Sequence, residues 1–461
     1  MRLTPIEPEI PEVGGFTEEN DIFGYRDFAE RLANLIRNID EPLVIALDAP
    51  WGSGKSVFVK QWAGLLRERG APAILFDAFV SDYYEDAFLA LSAEIHAAAK
   101  RRLGGNQRVT RRYLHRAKKA GTVLAPIALR VAARTGTAGL LSLDDLEASS
   151  EAIKELVRVV GNESAKAVEK VVSERLRKAS EERATLVAFR EVLSEIAREL
   201  SDQQNEDDGV FPLVFVVDEL DRCRPTFALS VIERIKHLFS VPNVCFVLVC
   251  HLPQLEQAVQ GAYGTNFDAH TYLEKFFHLR VTLPEDIDRP NKQFHDYIAY
   301  LWNALDIRFF EPRDAQLVQQ ELRALTEVHD LSLRRLERVM THLVLVAAAA
   351  GPRYGIIPPL VAGLCVMRQT HPALYRRARR QELTWAEART FLQPIEGQGV
   401  QNEWTVGWWK HCTGEEIPQE EVQDYHRFQA QYHLQDREKI IPLMAEYIDE
   451  LAQRWVVPGD Q

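Results

Sequence analysis

Leu43-Val44-Ile45-Ala46-Leu47-Asp48-Ala49-Pro50-Trp51-Gly52-Ser53-Gly54-Lys55-Ser56 is the stretch on which the reading of this chain turns. Its first five residues are apolar and read as a buried strand. The loop Ala49-Pro50-Trp51-Gly52-Ser53-Gly54 then leads into Lys55, Ser56 and Val57, where an apolar spacing of helical type begins. Strand, glycine-rich loop and helix in that order form a phosphate cradle. Small residues let backbone N–H groups close around a phosphate, and the helix N-terminus adds partial positive charge. In such a loop the lysine reaches the β/γ-phosphates and the serine hydroxyl ligates Mg²⁺, roles that fall here to Lys55 and Ser56. The usual pattern has glycine six residues before the lysine, whereas this chain has Ala49. The loop tolerates that change unless the position needs a positive φ.

Outward from this unit, Ala73–Phe79 and Val244–Cys250 read as further buried strands, and Asp86–Ala99 as a helix. Leu213-Val214-Phe215-Val216-Val217 is another strand, preceded by a break at Asp207-Asp208-Gly209 and ending on Asp218-Glu219. Continuous apolar runs separated by helices predict a mostly parallel sheet covered on both faces. From about Asp286 the pattern is helical. Leu331–Ala350 forms one helix closed by Gly351-Pro352, and Pro358–Arg380 another with a turn at His371-Pro372. Trp404, Trp408 and Trp409 read as packing residues rather than as a stacking platform.

The second carboxylate-bearing strand end completes the chemistry. Asp218 stands where ligands of parallel sheets bind and would anchor the metal. Glu219, next along, would orient and deprotonate an attacking water.

Composition sets the outer bounds. The chain has 461 residues, 46% apolar and 26% charged, as in ordinary globular proteins of about two to three domains. The start has no secretory pattern, the five cysteines show no metal spacing, and no run reaches the ~18 apolar residues of a membrane helix. These features predict a cytoplasmic protein. The net charge of −12 is unevenly placed: between Glu94 and Asp144 there are eleven positive charges and no carboxylate, so the rest carries −23.

Asp218-Glu219-Leu220-Asp221-Arg222-Cys223 resembles the Asp-Asp-Leu-Asp-Arg-Cys signature of the KAP family of P-loop NTPases. Trp51–Ser56 resembles that family's Trp-Gly-Ser-Gly-Lys-Thr loop. Asp21, Gly24, Arg26 and Ala29 look like its opening segment, Tyr272–Phe276 like the segment after its fourth strand, and Leu331–Arg338 like its arginine-bearing lid helix. The resemblance covers about residues 20 to 390. It implies an α/β P-loop NTPase of the additional-strand division, with a strand between those of the two motifs, and ATP with Mg²⁺ as cofactors. It implies Asp21 and Gly24 beside the nucleotide, together with Ala49 to Val57. Arg334 and Arg338, four apart on one helical face, would report the γ-phosphate in their own subunit or a neighbour's, or else form surface salt bridges. Arg222, beside two carboxylates, reads as an ion-pair partner. The chain departs from the family at Glu219, at Asp77 and Phe79, and at His251, where the family commonly has aspartate and a strand-end histidine is the simpler reading.

Relatives often carry membrane spans between the two motifs. Here Arg130 and Arg134 interrupt the corresponding segment, Gly121–Leu143. The nine basic residues within Lys100–Lys119 leave three readings: a solvated helical hairpin, a nucleic-acid phosphate contact, or a contact with an anionic membrane or protein surface. Only Tyr113 is an interleaved aromatic.

The resulting expectation is an Mg-dependent ATP-hydrolysing regulatory NTPase. Its parts are an arm (1–20), a core in two pieces (21–99 and 186–285), a basic helical insert (100–185), a helical lid (286–395) and a C-terminal helical extension (396–461). Catalysis falls to Lys55 and Glu219, and metal binding to Ser56 and Asp218. A protein partner or homo-oligomer is expected, and the resemblance implies a setting in bacterial defence against phage. The competing reading is a nucleotide-held scaffold with little hydrolysis.

Overall fold

The computed structural model describes residues 1–4, 9–39, 41–84, 86–103, 107–136, 162–201, 211–284, 292–329, 331–349, 356–393, 403–414 and 436–449; between 125 and 179 it describes backbone alone. The break at Asp207-Asp208-Gly209, the helix stop at Gly351-Pro352 and the side chains of Arg130 and Arg134 lie outside the described residues.

Five strands form one sheet: β1 (Leu43–Asp48), β2 (Ala73–Asp77), β3 (Leu213–Asp218), β4 (Val244–Cys250) and β5 (Leu279–Thr282). Their order is β2-β3-β4-β1-β5 and every pairing is parallel. β4 therefore lies between β1 and β3, the extra strand between the two motif-bearing strands. Because the strands run one way, Asp48, Asp77, Asp218 and Cys250 all end at one edge. Asp77 is in register with Asp218, and Asp48 with Cys250.

Residues alternate between the faces with period two. Leu213, Phe215 and Val217 join one core, with Val244, Phe246 and Leu248; Val214, Val216, Val247 and Val249 join the other. That burial on both sides is why the runs are continuously apolar. Helices α1 (Arg26–Arg37) and α2 (Lys55–Glu68) cover the second face, locked together by Trp62, whose Nε1 donates to the Ala29 carbonyl at 3.1 Å. The first face is covered by α3 (Ala87–Arg102), α4 (Gln107–Gly136), α5 (Asn162–Ser201), α6 (Pro225–Arg234) and α7 (Leu252–Tyr263). The basic helix α4 packs on this face: Val109, Tyr113, Ala117, Ala120 and Leu124 join the sheet core, as do Phe189, Leu193 and Ile196 of α5.

A short helix α8 (Ala269–Glu274) precedes β5. A third core belongs to the helices that follow: α9 (Lys292–Ala304), α10 (Pro312–Val328), α11 (Leu333–Ala349), α12 (Pro358–Thr370), α13 (Pro372–Arg379), α14 (Trp385–Leu392), α15 (Glu403–Cys412) and α16 (Ile440–Asp449). Residues 358–367 of α12 are all buried, so this helix is the hub. Trp409 packs where a Cβ on Gly363 would stand 2.5 Å from its ring; Trp408 and Trp409 are packing residues. No helix among the described residues is long and apolar enough to cross a membrane.

The segment before α1 runs along α2. Gly15, at φ +70°, lies so close that a Cβ there would meet the Gln61 carbonyl at 1.9 Å. The Asn20 amide donates to the Gly15 carbonyl at 2.9 Å, and Gln61 Nε2 donates back to the Asn20 carbonyl at 2.8 Å. Residues 1–3 reach the third core, where Arg2 N donates to the Leu305 carbonyl at 2.8 Å and the Thr341 hydroxyl to that of Leu3 at 3.0 Å.

Candidate functional site

The loop between β1 and α2 keeps the shape its glycines dictate. Gly52 and Gly54 sit at φ +77° and +85°, a region costly for residues with a Cβ. Ala49, buried at the end of β1, is not among the positive-φ residues, so replacing the customary glycine costs the backbone nothing there. Lys55 is only 8% exposed, and its ammonium donates to the carbonyls of Ala49 and, at 3.0 Å, of Pro50. The Ser53 hydroxyl is buried in the same loop without a hydrogen-bond partner.

The loop's setting is fixed from three sides. Asp48 Oδ1 accepts from the Leu252 N–H at 2.9 Å, and its Oδ2 from Arg280 at 2.6 Å, tying β1 to the turn after β4 and to β5. Trp51 Nε1 donates to the Asp221 carboxylate, bridging the loop to the turn after β3. The Leu333 N–H, at the start of α11, donates to the Gly52 carbonyl at 2.9 Å.

At the end of β3, Asp218 accepts from the Glu219 N–H at 2.8 Å. Glu219 has a left-handed backbone, φ 59° and ψ 28°, unusual for a residue with a long side chain. That twist ends the strand and turns Glu219 toward the loop, where its Oε1 accepts from the Ser56 hydroxyl at 3.3 Å. Its other oxygen pairs with Arg222 in the turn Leu220–Arg222. Lys55, Ser56, Asp218 and Glu219 therefore converge from two strand ends, with β4 between.

Burial sets the electrostatics. It raises the Asp218 carboxyl above its usual range, against the Ser56 hydroxyl and the Glu219 N–H. It raises Glu219 likewise, with Arg222 opposing. It lowers the Lys55 ammonium, against the fields of Asp221, Asp218 and Asp48. Burial thus shifts both acids and the base toward neutrality together.

The other expected residues fall around this cluster. Asp21 spends its carboxylate on the N-terminus of α1, accepting from Tyr25 N at 2.7 Å and Arg26 N at 3.3 Å, and Gly24 makes the turn at φ +66°. Phe23, between them, is the residue that touches the loop, its ring 3.4 Å from where a Cβ on Gly54 would lie. Arg334 is brought to Gly52 by its backbone, and both Arg334 and Arg338 have exposed side chains. His251 stands at the end of β4, its ring 5.9 Å from that of Trp51 and its Nδ1 buried without a partner. Phe79 is 52% exposed. Among the described residues no cluster of three His, Cys, Asp or Glu could hold a metal ion by itself. Asp48, Arg280, Phe23 and Leu333 escape sequence reading. The only local signal is the aspartate closing the apolar run of β1.

No curated protein matches the chain. Among solved structures it is similar to the Aeropyrum pernix ORC2 protein in its ADPNP–ADP complexes, at 11% identity, 96% of each chain covered and a TM-score of 0.36. The ADP form of that protein gives 12% identity, 97% coverage of each chain and a TM-score of 0.34. The sequence profile of the KAP family P-loop domain matches residues 25–350, which hold both strand ends and α11. The chain belongs to the KAP family of P-loop NTPases.

Proposed function

We propose that the chain binds ATP with Mg²⁺ and hydrolyses it, using the opening and closing of α11 over the phosphate loop as its output. What carries the reading is the meeting of Ser56 and Glu219 at 3.3 Å beside Asp218 and Lys55. The residues fit a nucleoside triphosphate and Mg²⁺. An unpartnered Ser53 hydroxyl and a buried ammonium turned onto its own loop carbonyls are donors suited to phosphate oxygens. Ser56 and Asp218 offer the hard oxygens that Mg²⁺ prefers. A bound Mg²⁺ supplies positive charge that stabilises the phosphoryl group in flight.

In this reading Lys55 leaves the Ala49 and Pro50 carbonyls for the phosphates, Glu219 takes a proton from water, and Asp218 holds the metal's coordination sphere. Ala49 to Val57 wrap the phosphates, Asp21 and Gly24 set the wall on which Phe23 stands, and Arg334 and Arg338 sense the nucleotide from α11. Multiple-turnover ATP hydrolysis with and without Mg²⁺ tests this. Tight ATP binding with no measurable turnover would favour the nucleotide-held scaffold. The family resemblance adds the expectation of a role in bacterial anti-phage defence, which plaque counts with wild-type and Lys55→Ala protein would test.

A second reading rests on the surface formed by the end of α3 and by α4. Lys100, Arg101, Arg108, Lys118 and Lys119 are exposed, whereas Arg102 serves the Gly70 carbonyl and Arg112 pairs with Glu195 at 2.7 Å. Tyr113 is fully buried, donating to the Ser92 carbonyl at 3.3 Å. With His115 the one exposed ring among the described residues of this face, and no Phe, Tyr or Trp beside it, we infer contact with nucleic-acid phosphates without base selection.

A further inference from the structure

Glu219 is held twice. Its Oε1 accepts from Ser56, and its Oε2 is paired with Arg222, three residues on in the same tight turn. A carboxylate acting as general base needs a lone pair directed at water. With Ser56 bonded to one oxygen and the Arg222 cation paired against the other, water has to compete with both for Glu219. The two holds differ in kind. Ser56 would be drawn away by the metal ion it is placed to ligate, which frees Oε1. Nothing in that exchange touches Arg222, whose guanidinium is paired with Oε2.

The turn has its own external anchor. Arg224, two residues beyond Arg222, donates from its backbone N–H to Asp82 at 2.9 Å and from its Nε to the same carboxylate at 3.0 Å. Asp82 sits in the loop after β2, where Phe79, Val80, Tyr83 and Tyr84 are exposed. The stretch that carries Arg222 is therefore tied on one side to the phosphate loop, through Asp221, and on the other to a surface loop, through Arg224.

We propose that Arg222 is a positioning residue that withholds Glu219 from water, so that this chain hydrolyses ATP slowly until the turn Leu220–Arg222 shifts and breaks the Glu219–Arg222 pair. The proposal rests on the assignment of Glu219 as general base. It is a statement about restraint: Arg222 slows the reaction rather than driving it.

Two measurements on the full chain test it. The first needs no nucleotide. Carboxyls are coupled to glycine ethyl ester with a water-soluble carbodiimide and mapped by mass spectrometry, with exposed Glu311 as internal standard. Glu219 should label poorly in the wild type, severalfold more in Arg222→Ala, and at the wild-type level in Arg222→Lys, which keeps the charge. The second is ATP turnover at saturating Mg²⁺. Arg222→Ala should run about fivefold faster, the scale of one partly exposed ion pair, and Arg222→Lys near the wild-type rate. Unchanged labelling of Glu219 in Arg222→Ala overturns the proposal. So does slower turnover in a variant that keeps its melting temperature and nucleotide affinity. Glu219→Gln separates the two claims: full turnover in that variant removes the general-base assignment, whereas its inactivity beside a slowed Arg222→Ala removes only the restraint.

Discussion

The Leu333 N–H donates to the Gly52 carbonyl at 2.9 Å, so the first turn of α11 rests on the phosphate loop through a backbone hydrogen bond. The contact needs a bare Cα on the loop side. A Cβ on Gly52 would stand 3.1 Å from Ser332 Cβ and 3.2 Å from Arg334 N, at a φ of +77°. Gly52→Ala should therefore cost about 1–3 kcal/mol in stability, from left-handed strain and from pushing α11 away. Urea unfolding would read the first effect. Hydrogen exchange at residues 333–337 would read the second as faster exchange. Protection equal to wild type would show that α11 is held by its own core and does not depend on the loop.

Binding and turnover should separate between Lys55 and Glu219. The Lys55 ammonium donates to the loop carbonyls and faces the phosphates in the proposed complex, so Lys55→Ala should lower nucleotide affinity and abolish turnover. Glu219→Gln keeps the shape and the hydrogen bond from Ser56 but removes the base. It should retain ATP binding while losing about 10²–10⁴ in rate. Equilibrium binding of a fluorescent ATP analogue beside single-turnover hydrolysis checks both. A Glu219→Gln protein that hydrolyses at the wild-type rate would leave the water to another group.

The same residues show how far the sequence could be read. Lys55, Ser56, Asp218 and Glu219 belong to short motifs whose order along the chain carries their chemistry, and four strands announced themselves as apolar runs. β5 did not. Its four residues alternate half-buried and exposed, and its Arg280 is explained by Asp48, 232 residues away. Trp51 and Asp221 are separated by 170 residues. Such bridges leave no periodic trace, because each partner alone looks like an ordinary loop polar or aromatic residue. The course of residues 9–20 is hidden for another reason. It depends on Gly15 meeting α2 at Gln61 and Gly64, a close approach made possible by missing side chains rather than signalled by present ones.

The exposed basic surface of α3 and α4 makes a prediction in salt. If Lys100, Arg101, Arg108, Lys118 and Lys119 meet phosphates, binding to a DNA duplex should weaken with log[salt] at a slope of about −0.9 per phosphate neutralised. Lys118→Glu combined with Lys119→Glu should reduce that slope by about 2 and weaken all sequences alike. Fluorescence anisotropy at several salt concentrations checks it. Binding to phosphatidylserine vesicles with none to DNA or RNA would reassign the face to a membrane surface.

The helical region after β5 should lose stability in mild acid through two buried histidines. His329 is held down to about 4 by burial, with His371 adding to the effect and a backbone hydrogen bond at Phe391 opposing it. His411 is held at about 4 by burial, with Arg437 contributing. Both folded values lie below the ordinary histidine value of 6.5. The sign follows from proton uptake: between pH 6.5 and 4 the unfolded chain binds protons that the folded chain refuses, so stability falls as pH falls. Above the unfolded value neither histidine contributes. At pH 5 each should cost about 2 kcal/mol. His329 stacks on Phe391 with ring centroids 4.5 Å apart, so His329→Phe keeps an aromatic partner while removing the proton site. Urea midpoints from pH 8 to pH 5 should drop more steeply for the wild type than for His329→Phe. Parallel curves would mean that the imidazole of His329 reaches solvent and titrates normally in the folded protein.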